Sequence, residues 1–359
     1  MKFWLSWLGA ALVAAVAMGQ GQTAAVQPDP QLQQLLQRYP DADANHDGVL
    51  TAEEARAYRA KMLANKGDTR TGRPAAAAPA IPPTLTDVKY GPRERNVLDF
   101  WEVKSSNAVP VLIYFHGGGF VGGNKSLTGL QIQGLKMGIA AVSANYPYAG
   151  QSGITIREIM LDGARVVQFV RSKAAEWHID PARVALTGGS AGGDMSVWIA
   201  LHDDLADPRS DDPVKRQSSR VSCVVGNGAQ TSNDPTLLAT TIGGRHEMYS
   251  SIPKMYNIVS SDELDRPDVK AMRLEYSAMN HASKDDPPLY LTYDKAPPEG
   301  LYPETVPVGE IIHTAKFGLI LKGKLDPLGV TCIVTYPGRP APQTPIEFLV
   351  ENLRMPKRR

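Results

Sequence analysis

The chain has only two cysteines in 359 residues. So few cannot form the disulfide framework that holds up a core-poor secreted fold, so stability must come from an apolar interior. Both cysteines, Cys223 and Cys332, sit inside apolar β-type runs, VSCVVGN and VTCIVTY. Those runs are expected to be strands with another strand between them, which predicts two buried free thiols. An excess of charge of either sign is also missing: the net charge is +1. That argues against a surface built for nucleic acid or an anionic membrane. Beyond the first segment no apolar run is long enough to span a bilayer. A last absence carries more weight. The stretch PGRPAPQTPIEFL, which follows VTCIVTY and reads as a proline-rich loop, contains no histidine.

The opening segment, MKFWLSWLGAALVAAVAMGQGQTAA, carries Lys2, an apolar run to Met18, and small residues at Ala17 and Gly19. This predicts a secretory signal peptide over 1–19, cut near Gln20, and a periplasmic or extracellular protein. The alternative is a membrane anchor, but the run is short for a span and no cysteine follows to carry a lipid.

Residues 28–65 predict a small acidic module. Asp43, Asn45 and Asp47 stand at the first, third and fifth positions of a loop, and Gly48 at the sixth. Val49 offers a carbonyl at the seventh, Leu50 is the apolar eighth, Thr51 the ninth, and Glu54 the twelfth. A hard cation needs oxygen donors at alternating positions, a glycine for the sharp turn and a bidentate carboxylate to close the shell. Helix-like segments flank the loop, and the whole resembles a single EF-hand. The resemblance implies calcium as a cofactor held by Asp43, Asn45, Asp47, Val49, Thr51 and Glu54. An acidic turn that holds no ion is the other reading. Residues 66–83, rich in Ala, Pro and Gly, read as a linker.

From residue 84 to 359, strand and helix patterns alternate, which predicts an α/β domain: a mostly parallel sheet with helices on both faces. In such sheets chemistry sits at the carboxyl ends of the strands. Two motifs fall there. TGGSAGG, after the run RVAL, gives G-x-S-x-G at a strand-to-helix turn, with Ser190 held exposed in a strained conformation. HGGGF, after VLIYF, offers amide N–H groups to a developing oxyanion. Gly117 and Gly118 are the candidates there, joined by the N–H of Ala191, while His116 braces the loop. Gly117, Gly119 and Gly122 also spell a dinucleotide-binding G-x-G-x-x-G. That motif wants an acid at the end of the next strand, where this chain has Asn145.

In their order, HGGGFVGGNK, SANYPYAG, HIDPARVALTGGSAGG and SKDDPPLYL resemble the α/β-hydrolase fold, nearest to esterases of the hormone-sensitive-lipase and feruloyl or acetyl-xylan esterase type. The resemblance implies hydrolysis of small-molecule or carbohydrate-linked carboxylic esters through an acyl-serine intermediate, with no cofactor for catalysis. It also implies an acid just after PLYLTY: Asp294, with Glu299 and Glu304 as alternates. The family's histidine follows the last strand, where this chain has none. Topology removes His46, in the acidic module, and His116. His178 and His281 precede strands, and His202 lies about three helical turns beyond Ser190, roughly 18 Å away. His313, expected to open the helix IIHTAKFGLILKGKL, is the best replacement, and His246 is second. Without a base the same fold would be a binding protein rather than an enzyme.

Overall fold

The computed structural model describes residues 32, 36, 39–45, 47–51, 53–55, 57, 58, 81–244 and 251–354. The signal segment, linker residues 66–80, His46 and His246 lie outside them. The chain divides into two compact units, Met1–Ala80 and Ile81–Arg359. In the first, Ala42, Leu50 and Ala55 are buried together, with Leu32, Leu36, Tyr39 and Tyr58 packed around them.

In the second unit eight strands form one sheet. They are β1 (Leu85–Lys89), β2 (Val97–Trp101), β3 (Val109–Phe115), β4 (Ala140–Ala144), β5 (Ile179–Gly189), β6 (Cys223–Asn227), β7 (Leu289–Thr292) and β8 (Cys332–Thr335). Their order is β1-β2-β4-β3-β5-β6-β7-β8. The pairs β1/β2 and β2/β4 are antiparallel, and every pair from β4/β3 to β7/β8 is parallel. The central strands need apolar residues on both faces because helices cover both sides. Residues 140–144 of β4 are accordingly all buried. β7 stands between the strands of Cys223 and Cys332, both buried free thiols.

The helices that matter here are α1 (Gly129–Lys136), α2 (Ile156–Ser172), α3 (Ala191–Leu201), α4 (Ile252–Tyr256), α5 (Pro267–Glu275), α6 (Val308–Ile311), α7 (Lys316–Leu325) and α8 (Pro345–Arg354). Their starts follow from local chemistry. Thr128 with Gln131 and Thr155 with Glu158 form reciprocal capping boxes at α1 and α2. No helix among the described residues is long and apolar enough to cross a membrane.

Three expectations change. The antiparallel edge strand β1 went unread because its residues are mostly exposed and polar, with no buried alternation to mark them. The proline-rich stretch after β8 is a loop only as far as Thr344. Thr344 and Glu347 exchange hydrogen bonds there, and Pro345 opens α8. His313 does not open a helix. It lies in a turn between α6 and α7, whose N-cap is Ala315.

Candidate active site

The carboxyl ends of β3, β5, β6 and β7 supply the site. Ser190 follows β5 directly and caps α3 with φ 52° and ψ −122°. A serine at positive φ is strained and persists only when its surroundings fix it. Two contacts do so. The Ser190 N–H donates to Asn227 O at the end of β6 (2.8 Å), and the Ser190 carbonyl accepts from Asp194 N (2.9 Å). The flanking glycines serve clearance. A Cβ on Gly188 would lie 2.2 Å from Gly192 O, and one on Gly192 would lie 2.0 Å from Phe115 O. The chain therefore crosses itself at the elbow more closely than any side chain allows, and the unusual backbone angle falls on Ser190 rather than on those glycines.

His313 Nε2 lies 2.9 Å from Ser190 Oγ. The two are 123 residues apart in sequence. The ring rests on the turn after β6: a Cβ on Gly228 would stand 3.2 Å from His313 Cδ2. Gly228 can turn there because its φ is +58°. Its N–H donates to Thr292 O at the end of β7 (2.8 Å), and the Asn227 side-chain amide donates to Thr292 Oγ1 (2.7 Å). One short segment, Asn227–Gly228, thus holds the serine turn on one side and packs under the imidazole on the other.

Although His313 is exposed as a residue, partial desolvation of its ring lowers its pKa, and the negative charge of Asp294 opposes that shift. Asp294 is exposed, just past β7. It acts on His313 as a charge: among the described residues no hydrogen bond joins the two. Glu299 and Glu304, the alternates, are also exposed.

The glycine loop after β3 comes against the elbow. A Cβ on Gly117 would lie 2.9 Å from Gly189 O and 3.6 Å from Ser190 Cβ. Gly118 has φ +115°, and a Cβ there would meet Gly122 O at 2.3 Å. Ala191 is the first residue of α3, where backbone N–H groups have no partner within the helix.

His116 is a brace. Its Nδ1–H donates to Gly117 O (2.8 Å), and its ring stacks on Tyr146 at 4.1 Å. Tyr146 Oη donates to His116 O (2.5 Å). Burial, with Arg95 close by, pushes the His116 pKa down to about 4, so the ring is neutral. Sequence reasoning missed Arg95. It donates to Tyr146 O (2.9 Å) and Gly123 O (3.2 Å), and lies over the Tyr148 ring. Asn145, at the place where a dinucleotide site wants an acid, accepts from Lys125 N (2.6 Å) and so fixes the far end of the same loop. Asp194 was missed too. Fully buried four residues past Ser190, it accepts from the Gln230 N–H, and desolvation holds its carboxyl well above the usual range. A cavity of about 420 Å³ beside the elbow is lined by Tyr114, Thr128, Thr187, Gly189, Asn227 and Thr292, among others, and not by Ser190 or His313.

In the first unit the acidic loop is wound around its own carboxylates. Asp43, almost fully buried, accepts from Gly48 N (2.8 Å) and Asp47 N (3.3 Å). Asn45 Oδ1 accepts from Asp47 N and Asp47 Oδ1 from Val49 N. Gly48 supplies the left-handed turn at φ +81°. Glu54 Oε2 accepts from Thr51 N (3.0 Å) and Thr51 Oγ1 (2.7 Å). The donors are all oxygens, which fits a hard cation. Both bonds fall on Glu54 Oε2, so a bidentate grip on an ion would have to displace at least one of them.

Curated relatives share parts of the second unit. A probable carboxylic ester hydrolase of Mycobacterium tuberculosis, LipM, is 27% identical over 222 residues, 58% of this chain and 47% of its own. The carboxylesterase NlhH of the same organism is 29% identical over 182 residues, 50% of this chain and 53% of its own. The chain spans about half the length of these relatives. Among solved structures, a truncated carbohydrate esterase from gut microbiota superposes with a TM-score of 0.56 at 19% identity, covering 76% of this chain and 96% of that one. An acetyl ester-xyloside bifunctional hydrolase from Caldicellulosiruptor lactoaceticus gives 0.52 at 22%, covering 72% and 87%. At such identities these two share the fold, an α/β-hydrolase sheet. The BD-FAE family model matches residues 98–296, from β2 past the serine elbow to the loop of Asp294. That match takes in more than half of the sequence, and the chain belongs to the BD-FAE family.

Proposed function

We propose that this protein is a serine carboxylic-ester hydrolase that acts through an acyl-serine intermediate. The observation that carries the reading is the 2.9 Å contact between His313 Nε2 and Ser190 Oγ, a base within hydrogen-bond reach of its nucleophile. The ester-hydrolase relatives support the same reaction class. Ser190 Oγ attacks the ester carbonyl while His313 Nε2 takes its proton. The N–H groups of Gly117, Gly118 and Ala191 hold the oxyanion. His313 then gives the proton to the leaving alcohol, and water, activated by the same imidazole, releases the acid. A lowered His313 pKa keeps the imidazole neutral at pH 7, ready to accept. Asp294 stabilises the imidazolium by its charge. The substrates are short acyl or carbohydrate-linked esters. The opening segment directs export, and Asp43, Asn45, Asp47, Val49 and Glu54 hold a calcium ion, with Thr51 at the ninth position reaching it through water.

The test is the labelling rate of Ser190 by a fluorophosphonate, read by mass spectrometry, which needs no guess about substrate. Wild type is expected to label rapidly, and His313→Ala about 10²–10⁴ times more slowly. Labelling no faster than that of an unactivated surface serine would make this fold a binding protein. N-terminal sequencing of the protein recovered from medium or periplasm tests export, with a new terminus near Gln20 expected.

A further inference from the structure

A second cluster of titratable groups lies at the far end of α3. His202 caps that helix. Its Nδ1 is 2.9 Å from Asp203 O and its Nε2 is 3.3 Å from Glu275 Oε1. His281 Nε2 is 2.6 Å from the backbone carbonyl of Glu275. A carbonyl only accepts, so His202 Nδ1 and His281 Nε2 carry the protons. In the neutral rings this leaves one lone pair on His202 Nε2, facing a carboxylate oxygen, and another on His281 Nδ1. The two acceptors shown facing each other, His202 Nε2 and Glu275 Oε1 at 3.3 Å, call for a cation or a proton between them. Among the described residues, this is the one group in which three His, Cys, Asp or Glu ligand atoms lie within 4.8 Å of one another.

The surroundings hold the imidazoles in place. His202 packs on Trp198 and on His281, each at 4.5 Å between ring centroids. Trp198 Nε1 donates to the same Glu275 carbonyl (3.0 Å), and Arg220 Nη1 donates to His202 O (3.0 Å). The His202 side chain is 16% exposed and that of Glu275 49%. The rings are therefore fixed while the carboxylate is free to swing toward an ion. Histidines that bind metals commonly donate their second ring N–H to a carbonyl or carboxylate, which sets the tautomer and the ring orientation. Both rings here are set that way.

We propose that His202, Glu275 and His281 bind a divalent transition-metal cation of the Zn²⁺ type, with water completing the shell. Two imidazoles and a carboxylate suit Zn²⁺ and its neighbours. Ca²⁺ prefers an all-oxygen shell, so this site is distinct in chemistry from the loop at 43–54. The ion would tie the end of α3 to the end of α5 and to the 3₁₀ turn Ala278–His281. Ser190 lies at the other end of α3, roughly 16–18 Å away at 1.5 Å per residue. The ion is therefore a structural clamp on the nucleophile helix and touches no reacting atom.

The experiment is calorimetric titration of the tag-free, metal-stripped full chain with Zn²⁺, followed by thermal denaturation. One equivalent is expected to bind and to raise the Tm. Binding should persist in an Asp43→Ala, Glu54→Gln double variant and weaken at least about tenfold in Glu275→Gln and in His281→Ala. Absence of binding, or equal affinity in the Glu275 and His281 variants, overturns the proposal in favour of a proton-linked His–Glu pair. X-ray absorption at the zinc edge of the wild type decides the matter without variants. Two imidazoles are expected, and an all-oxygen shell would overturn the site.

Discussion

A Cβ on Gly228 would stand 3.2 Å from Cδ2 of His313 and 3.8 Å from its Cβ. The turn after β6 is therefore shaped to the imidazole that reaches Ser190. Gly228→Ala adds a methyl at φ +58°, a conformation that costs an L-residue roughly 1–2 kcal/mol, and pushes on the ring. Displacing a reacting group by a fraction of an ångström to an ångström costs up to about 10²-fold in rate. We expect kcat to fall about tenfold to a hundredfold with KM nearly unchanged, while the protein remains folded by circular dichroism. Steady-state kinetics on an activated short-chain ester measures this. An unchanged kcat would separate Gly228 from the positioning of His313.

In the proposed reaction His313 must be neutral to accept the serine proton. Burial lowers the His313 pKa below the ordinary imidazole value of about 6.5, and Asp294 partly offsets the shift. kcat/KM should thus rise with pH through the His313 pKa and level off above it, with the acid limb below about pH 6.5. Asp294→Asn removes the influence that raises the pKa, so the limb should move to lower pH while the plateau drops. A limb that moves upward in Asp294→Asn would contradict the assignment of Asp294 as the charge acting on His313.

The glycines of the elbow differ in kind, and the difference can be measured. A Cβ on Gly192 would lie 2.0 Å from Phe115 O and 2.7 Å from His116 O, both backbone atoms that cannot rotate away. A Cβ on Gly189 meets nothing within 4 Å. Gly192→Ala should therefore lose about 1–3 kcal/mol or more of stability by overpacking. Gly189→Ala should stay within about 0.5 kcal/mol of wild type. Urea denaturation of the two variants gives the comparison. Equal losses would show that strain in the turn, rather than clearance, dictates the glycines.

Much of this was legible in the sequence because the relevant signals are local. Strand ends followed by glycines placed Ser190 and Gly117, and alternation of strands and helices gave the parallel sheet. His313 was reachable by elimination, since a segment that leaves β7 must start at the carboxyl edge. The turn that holds it was not legible, because the apolar pattern runs through the turn from α6 into α7. β1 was hidden for the opposite reason: an exposed edge strand buries too little to show a period. Arg95, Asn227 and Gly228 could not be assigned, because their partners are remote in sequence. The Asn-Gly pair after VVG in β6 was the one local hint, since that dipeptide marks a turn of positive φ.

The acidic loop supplies the last prediction. Asp43 and Asp47 already accept the amides that wind the turn, and the oxygens left over point the loop toward a hard cation. Glu54 is occupied by Thr51, whose N–H and hydroxyl lower the carboxyl pKa. If the loop binds Ca²⁺ as proposed, a bidentate grip by Glu54 displaces at least one of those two hydrogen bonds, and the affinity expected is low, roughly 10⁻⁴ to 10⁻³ M. Carboxylates are ionised above about pH 5, so affinity should hold from pH 8 down to there. Glu54→Gln removes the bidentate oxygen pair and should weaken binding at least tenfold, about 1.4 kcal/mol. Thr51→Ala would release Glu54 from its competitor. Side-chain oxygen at the ninth position often reaches the ion only through water, so binding should strengthen or hold rather than fail. Equilibrium dialysis with radioactive calcium on the full chain measures both. Loss of binding in Thr51→Ala would show that the threonine is a ligand rather than a rival for Glu54, and equal binding in Glu54→Gln would remove this loop as the site.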